Sequence, residues 1–315
     1  KKITTYSYDE KGRVKTKLLP SGVCLEYRYD GIGRILSMTS SDQSVQYLYT
    51  YETDHGYSMT VDDIIYGRTF QRFYNSFGEM IEEASPLCNI SWGYDSMGRN
   101  TSFTLPDASS ITREYFDGHL YSVTRRDPEG IPLYAHTYLT TDLNGHVEEE
   151  RLIYNLAELH TKHDLLERPY LQTSPWNTYQ VGYDSLGRVE YINHSLFQEK
   201  KISYDPLDQL KQEGDKVYLF DSIGNSSFYE TNDCNEVLAT PESKLSYDPS
   251  GNLEERILSD QTIQYSYDAL GRLTSITYPQ SRKIIYSYDP FSRLFSRETY
   301  IWQDGCFQKD TPLFF

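Results

Sequence analysis

The chain has 315 residues, a formal net charge of −16 and four cysteines. Its acidity disfavours nucleic-acid binding, which needs clustered lysine and arginine, and it has no run of about 18 apolar residues that could form a membrane-spanning helix. Counted without tyrosine and with glycine, apolar residues make up about 34% of the chain, below the usual value of about 45–50%. Tyrosine alone contributes 30 residues. This composition predicts a thin-walled structure whose half-buried faces are formed by tyrosine rings.

From the first ten residues onward, one pattern recurs: Tyr-Asp-x-x-Gly followed by Arg or Asn. About 0.14 copies of Tyr-Asp-x-x-Gly are expected by chance, whereas six are present, so the pattern is an internal repeat. The residues that define the six copies are Tyr8, Asp9, Gly12 and Arg13; Tyr29, Asp30, Gly33 and Arg34; Tyr94, Asp95, Gly98 and Arg99; Tyr183, Asp184, Gly187 and Arg188; Tyr247, Asp248 and Gly251; and Tyr267, Asp268, Gly271 and Arg272.

Weaker copies fill the gaps between these six segments. They begin at Tyr51, Tyr74, Phe116, Thr141, His163, Tyr204, Phe220 and Tyr288, and residues 232–236 form a candidate extra half-unit. Counted at the Asp position, the copies follow one another at intervals of 16 to 27 residues. We therefore expect a single continuous array over residues 1–315, belonging to a longer natural protein, and no separate domains.

Each unit is predicted to be a β-hairpin. Aromatic residues alternate before the Asp, as in Tyr27 and Tyr29 or Trp92 and Tyr94, which is the period of a strand. The Asp can accept a hydrogen bond from the amide two residues later, and the Gly can adopt a positive φ. The motif therefore predicts a structural turn and a ladder of aromatic rings, and not a catalytic group. Helical content is expected only within residues 152–167.

Other candidate sites have weaker support in the sequence. Adjacent carboxylates, such as Asp62 with Asp63 and Glu82 with Glu83, point to opposite faces of a strand and are expected in solvent. Glu158, His160, His163 and Glu167 contain metal-ligand types, but His163 already occupies a repeat position. The four cysteines are too far apart for a zinc site and are expected as free or buried thiols. We therefore expect no catalytic, metal or cofactor site.

The motif, its spacing and its coverage of the chain resemble the YD-repeat, or Rhs-repeat, family. That family includes Rhs polymorphic toxins, the B and C components of Tc toxins, wall-associated proteins and teneurins. The resemblance implies an all-β fold of tandem antiparallel hairpins, about 21 residues each, wound into a spiral sheet that is part of a hollow shell.

Two functions are compatible with this resemblance. One is a non-enzymatic, secreted or cell-surface shell segment that encloses a toxin or other cargo polypeptide, with the remainder of the same shell as its partner. The other is a module that binds surface glycans or a receptor through exposed tyrosine rings. The composition does not separate the two functions.

Overall fold

The computed structural model describes residues 2–53, 57–152, 156–310 and 313–314, and every regular element in these ranges is a β-strand. The all-β class and the tandem antiparallel hairpins expected from the repeat are confirmed. No helix in the described ranges is long and apolar enough to cross a membrane.

The first twenty-one strands carry the repeats up to Val217. They are β1 (Thr5–Tyr8), β2 (Val14–Leu18), β3 (Cys24–Tyr29), β4 (Ile35–Ser40), β5 (Gln46–Glu52), β6 (Tyr57–Asp63), β7 (Arg68–Tyr74), β8 (Met80–Ala84), β9 (Asn89–Tyr94), β10 (Asn100–Thr104), β11 (Ser110–Phe116), β12 (His119–Arg126), β13 (Pro132–Thr141), β14 (Val147–Leu152), β15 (Ala157–His163), β16 (Pro169–Thr173), β17 (Thr178–Tyr183), β18 (Val189–His194), β19 (Phe197–Tyr204), β20 (Leu210–Glu213) and β21 (Lys216–Val217).

The remaining strands carry the last repeats. They are β22 (Glu230–Thr231), β23 (Val237–Thr240), β24 (Ser243–Tyr247), β25 (Leu253–Ile257), β26 (Thr262–Tyr267), β27 (Leu273–Tyr278), β28 (Arg282–Tyr288), β29 (Leu294–Gln303), β30 (Cys306–Lys309) and β31 (Leu313–Phe314).

The described residues fall into two compact units. Unit 1 comprises the described residues within Lys1–Ser76, Ala84–Pro86 and Ser227–Phe315. Unit 2 comprises the described residues within Phe77–Glu83 and Leu87–Ser226. In unit 1, β1 to β7 form one antiparallel ladder, and β22 to β30 form another, with β31 paired to β29. In unit 2, β9 to β21 form one antiparallel ladder of neighbouring strands.

The apolar core lies in unit 1, where the first ladder meets turns of the second. Leu25, Val45 and Val61 on the first ladder are buried together with Ala269, which lies in the turn after β26. Nearby, the ring of Phe70 meets the ring of Phe291 edge-on, with their centroids 6.4 Å apart. Residues more than 200 positions apart therefore share one core, and burial of their apolar surface stabilises the contact.

Unit 2 has almost no core of its own. Among its described residues, Ala157 is the single buried apolar side chain, although the unit contains thirteen paired strands from β9 to β21. The unit is a single layer of hairpins whose aromatic and apolar side chains are mostly half-buried or exposed. This agrees with the thin wall that the composition predicts.

The expectation of helical content within residues 152–167 is wrong for the residues that the structure describes. Ala157–His163 forms β15, which pairs with β14 and β16, and residues 164–167 form a repeat turn. Residues 153–155 lie outside the described residues. The turn residues Asp164 and Arg168 impose the hairpin, so neighbouring strands outweigh the weak local helix propensity.

Replacing Leu25 with alanine tests the core of unit 1. Leu25 is 0% exposed, so Leu25→Ala leaves a cavity and is expected to lower the free energy of unfolding by about 2–5 kcal/mol. Urea denaturation followed by circular dichroism measures the change. Ile32→Ala is the control, since Ile32 is 80% exposed, and its effect is expected to stay within about 0.5 kcal/mol. Equal effects of the two substitutions would contradict this core assignment.

Candidate functional site: the inter-repeat ladder

The repeat motif forms one recurring turn between two strands. In the first copy the amide of Asp9 donates to the carbonyl oxygen of Arg13 (2.9 Å), and the amide of Gly12 donates to that of Asp9 (3.0 Å). The same two bonds recur in the other five full copies and in degenerate ones, with the turn Asp at positions 30, 95, 142, 164, 184, 205, 221, 248, 268 and 289. This is a type I turn followed by a left-handed residue, a common hairpin connection.

The fourth position of the turn requires a positive φ. Gly supplies it in all six full copies, with φ of 77° at Gly12 and 97° at Gly33. In copies without Gly, the same position still adopts this conformation, with φ of 62° at Asp208 and 64° at Ser292. The turn therefore forms without its glycine, at some conformational strain.

The Asp carboxylate organises the turn from inside. In the copy at Asp184, Oδ1 accepts from the amides of Leu186 and Arg188 (both 2.9 Å), and Oδ2 accepts from the Nε of Arg188 (2.8 Å). Burial by itself raises the pKa of Asp184, but the bonds from Arg188 and Leu186 outweigh it and lower that pKa. For Asp95 the backbone bond from Arg99 is the largest cause, and its pKa is also lowered.

In six of the described turns the Arg reaches the next repeat. The Cζ of Arg188 lies 4.5 Å from the centroid of the Tyr204 ring, which belongs to the following copy. The same stack, at 4.2 to 5.0 Å, joins Arg13 with Tyr29, Arg34 with Tyr51, Arg99 with Tyr115, Arg168 with Tyr183 and Arg272 with Tyr288. A guanidinium over a tyrosine face is a cation–π contact. We call each set of Asp, Arg and following Tyr a rung of the inter-repeat ladder.

The tyrosine of each rung makes a second connection. The hydroxyl of Tyr29 donates to the carbonyl oxygen of Val14 (2.8 Å), the residue after Arg13. Equivalent bonds of 2.8 to 3.1 Å are made by Tyr51, Tyr94, Tyr115, Tyr183, Tyr204, Tyr247 and Tyr288. Each of these tyrosines thus packs its ring in the ladder and donates its hydroxyl to the backbone of the preceding repeat.

Two rungs contain a residue that the sequence pattern does not predict. In the copy at Phe116, the ring in the ladder is that of Tyr115, while Phe116 is 75% exposed. At residues 232–236, Glu236 stands where other turns have Arg, and Lys2 supplies the cation instead. The Nζ of Lys2 bonds Glu236 and the carbonyl oxygen of Asp248, and lies 5.9 Å from the Tyr247 ring centroid.

The most buried rung also binds the first ladder of unit 1. Arg272 donates from Nε to Asp268 (2.6 Å), from Nη1 to the carbonyl oxygen of Asp289 (3.1 Å) and from Nη2 to the hydroxyl of Tyr47 (3.0 Å). Beside it, the amide of Ala269 donates to the Oγ of Ser44 (2.9 Å). One guanidinium thus holds its own turn, the next turn and a strand from the start of the chain.

The expectation that the adjacent carboxylates lie in solvent is wrong for Asp63 and Glu83, which are 2% and 3% exposed. Burial raises the pKa of Asp63, and its Oδ2 has no hydrogen-bond partner in the structure. Asp63 is buried by tertiary contacts, because it is the last residue of β6 and lies beside the core of unit 1. The described residues contain no group of three or more His, Cys, Asp or Glu arranged to hold a metal, and the four cysteines are free thiols.

The chain is similar in sequence to known proteins. A family model described as the RHS repeat matches residues 8–45, 247–283 and 267–300. Double-stranded DNA deaminase toxin A from Burkholderia cenocepacia (strain H111) is 22% identical over 355 aligned positions, which cover 92% of this chain and 24% of that protein. The chain therefore spans about a quarter of the length of this curated relative.

Solved structures show weaker similarity. The Tc holotoxin pore of Photorhabdus luminescens is 13% identical with a TM-score of 0.45, covering 98% of this chain and 22% of the other. The crystal structure of TcdB2-TccC3-TEV is also 13% identical, with a TM-score of 0.40, and the alignment covers 95% and 23% of the two chains.

Replacing Arg272 with lysine tests the rung. Lysine keeps the charge, but its three donors sit on one nitrogen, whereas Arg272 reaches its three acceptors from three nitrogens and stacks as a planar group. We expect Arg272→Lys to lower the free energy of unfolding by about 1–3 kcal/mol, measured by urea denaturation. Arg28→Lys is the control, because the Arg28 side chain is 73% exposed and meets Glu26 at 3.4 Å. A loss no larger than that of the control would contradict the role of the rung.

The lowered pKa of the turn aspartates predicts sensitivity to acid. A carboxyl whose pKa is lower in the folded state adds stability above its unfolded value of about 3.9, and that stability is lost as pH falls through the folded value. We expect the urea midpoint to fall between about pH 5 and about pH 2, and the slope to be smaller in Asp184→Asn. Asn232 occupies this position naturally and accepts the same backbone bonds, so the variant is expected to fold. Asp215→Asn, at an exposed position outside the ladder, should keep the wild-type slope. The assignment fails if Asp184→Asn also keeps that slope.

Proposed function

The chain is an RHS-repeat protein, and on that premise we propose that it is a structural segment of an Rhs/Tc-type shell that encloses a toxin or other cargo polypeptide. The observation that supports this proposal most directly is the single-layer architecture of unit 2. Thirteen paired strands with one buried apolar side chain among the described residues leave a sheet with uncovered half-apolar faces. Sheets normally cover such a face with a further layer. An enclosed polypeptide supplies that layer.

The inter-repeat ladder supports a structural role. Each rung joins a turn to the next repeat, so stability is a sum of neighbour contacts along the array, as in other repeat proteins. Such an array extends by adding repeats and needs no thick core. We therefore propose that residues 1–315 are one array, that it continues in the rest of a shell, and that its own part is non-enzymatic.

The relative from Burkholderia cenocepacia supports the toxin context. Its name describes a deaminase toxin, and this chain aligns with about a quarter of it. We propose that the aligned part corresponds to the enclosing array and not to the toxin activity. On this proposal the protein acts outside the producing cell or at its surface, and the partner of the array is the cargo chain.

Protection of cargo from protease tests the proposal. The complete gene product that carries this chain is incubated with a low concentration of a broad-specificity protease, and fragments outside the RHS region are followed by mass spectrometry. We expect those fragments to be cut at least about tenfold more slowly than when expressed alone, since cleavage then needs opening of the array.

Leu25→Ala in the complete product should accelerate this cleavage, and the exposed-site control Ile32→Ala should not. Negative-stain electron microscopy of the same sample should show a hollow particle. Cleavage of the cargo at the rate of the isolated cargo would reject enclosure.

A further inference from the structure

The ladder of unit 2 has two faces of different chemistry. Directly paired residues of neighbouring strands share a face, and successive residues of one strand alternate between the faces. The register pairs Trp92 with Phe103 and Phe103 with Ile111, and the ring centroids of Trp92 and Phe103 lie 5.4 Å apart. On the opposite side Ser102 pairs with Thr112. We call the side of Trp92 the ring face and the side of Ser102 the polar face.

The ring face continues to the far end of the unit. Followed from partner to partner, it passes through Arg125, Tyr134, Leu152, Leu159 and Gln172. There Tyr179 pairs with Gln172 and with His194, and His194 pairs with Phe197. The ring of His194 lies 6.2 Å from that of Tyr179 and 5.0 Å from that of Phe197. The three rings form one contiguous aromatic surface, and Phe197 is 72% exposed.

The polar face packs a tyrosine in a different way. Tyr191 pairs with Gly182 across β17 and β18, and a Cβ on Gly182 would overlap the Tyr191 ring. The hydroxyl of Tyr191 accepts from the Nε2 of Gln180 (3.3 Å). The missing side chain of the glycine therefore makes room for this ring within the sheet itself, whereas the rings at Tyr179 and Phe197 remain partly in water.

A groove crosses the ring face at Tyr179, which lines both of its hollows. The smaller hollow has a volume of about 300 Å³ and is lined by Tyr170 and Val181 among others. The larger has a volume of about 810 Å³ and is lined by Ile192 and Phe197 among others. The groove runs across β15 to β20, about 24 Å at about 4.8 Å between neighbouring strands. This is the length of about seven extended residues.

The groove offers hydrogen-bond donors beside its rings. The amide of Leu196 donates to the Nδ1 of His194 (3.1 Å), so the neutral imidazole carries its proton on Nε2. The hydroxyl of Tyr179 has no hydrogen-bond partner among the described residues. At the β20 end, the Nζ of Lys200 bonds the Oε1 of Glu213 (3.1 Å), so these two charges are paired within the chain. A peptide laid along the groove supplies carbonyl oxygens as acceptors for the two donors.

The charge of unit 2 limits the chemistry of such a peptide. The sequence of the unit contains twelve Lys and Arg against twenty-four Asp and Glu, a formal net charge of −12 out of −16 for the chain. A field of this sign attracts a polypeptide of positive charge and repels an acidic one. The complementary occupant is therefore a basic segment whose apolar side chains fit the hollows.

Resting on the proposed function, we infer that the ring face of unit 2 contacts the cargo, and that the groove at Tyr179 holds an extended cargo segment with apolar side chains and a net positive charge. The apolar side chains enter the two hollows and remove the rings of Tyr179 and Phe197 from water. Carbonyl oxygens of the segment accept from the Tyr179 hydroxyl and from the Nε2 of His194. The polar face keeps its hydroxyls in water.

Photo-cross-linking in the complete gene product tests the inference. The probe p-benzoylphenylalanine replaces Tyr179 or Phe197 on the ring face, and Tyr191 or Asn193 on the polar face. Phe197 and Asn193 are both exposed, so this matched pair tests the face even if the other two variants do not fold. Linked peptides are identified by mass spectrometry after irradiation. We expect the ring-face probes to link to peptides outside the RHS region that contain more Lys and Arg than Asp and Glu, and these links to be lost with the polar-face probes.

The same samples are treated with protease, which separates failure of the inference from failure of enclosure. Protected cargo that is not linked by the ring-face probes, or is linked equally from both faces, would overturn the face assignment and leave enclosure in place. An acidic linked segment, or links to a second copy of the chain, would reject a basic cargo segment as the occupant. Cargo that is neither linked nor protected would reject the proposed function together with the inference.

Discussion

Among the described turns, six are joined to the next repeat by a guanidinium that serves two turns at once. The Nε of the arginine is bound by the aspartate of its own turn, and its planar face lies on the tyrosine of the following repeat, as Arg13 does between Asp9 and Tyr29. The aspartate fixes both the turn and the direction of the arginine, because its two oxygens bind backbone and side chain separately. A sheet of this length with so little core is stabilised mainly by contacts between neighbours.

The parts of this arrangement that the sequence predicts are the local ones. The Asp that accepts from the amide two residues later and the Gly at positive φ act within one turn, so the motif itself contains the information. The role of the arginine depends on a residue about sixteen positions later, and it becomes visible only when the hairpin register is known. The same limit applies to the copy that the pattern begins at Phe116: the structure places Tyr115 against Arg99, and nothing in the local pattern distinguishes the two rings.

The core of unit 1 could not be predicted from the repeat. Leu25, Val61 and Ala269 come from copies of the same motif, and copies with the same pattern elsewhere leave equivalent positions exposed. What distinguishes them is contact between segments more than 200 residues apart, which also buries Asp63 against expectation. Lys2 shows the same effect in a rung, because a residue from the start of the chain replaces an arginine that the turn at 232–236 lacks.

Copies that lack the arginine keep a contact with the next repeat because a rung has two independent connections: the cation–π stack and the hydrogen bond of the tyrosine hydroxyl. Where Glu79 stands in the arginine position, the hydroxyl of Tyr94 still reaches the carbonyl oxygen of Met80 (2.9 Å). Where Glu236 does so, Tyr247 keeps its bond and Lys2 restores the cation. The rung of His146 and His163 has neither a permanent charge nor a tyrosine hydroxyl, and its ring stack is retained on a turn of unchanged geometry. The turn bonds and the ring stack therefore carry the array across a copy that lacks both of the usual connections.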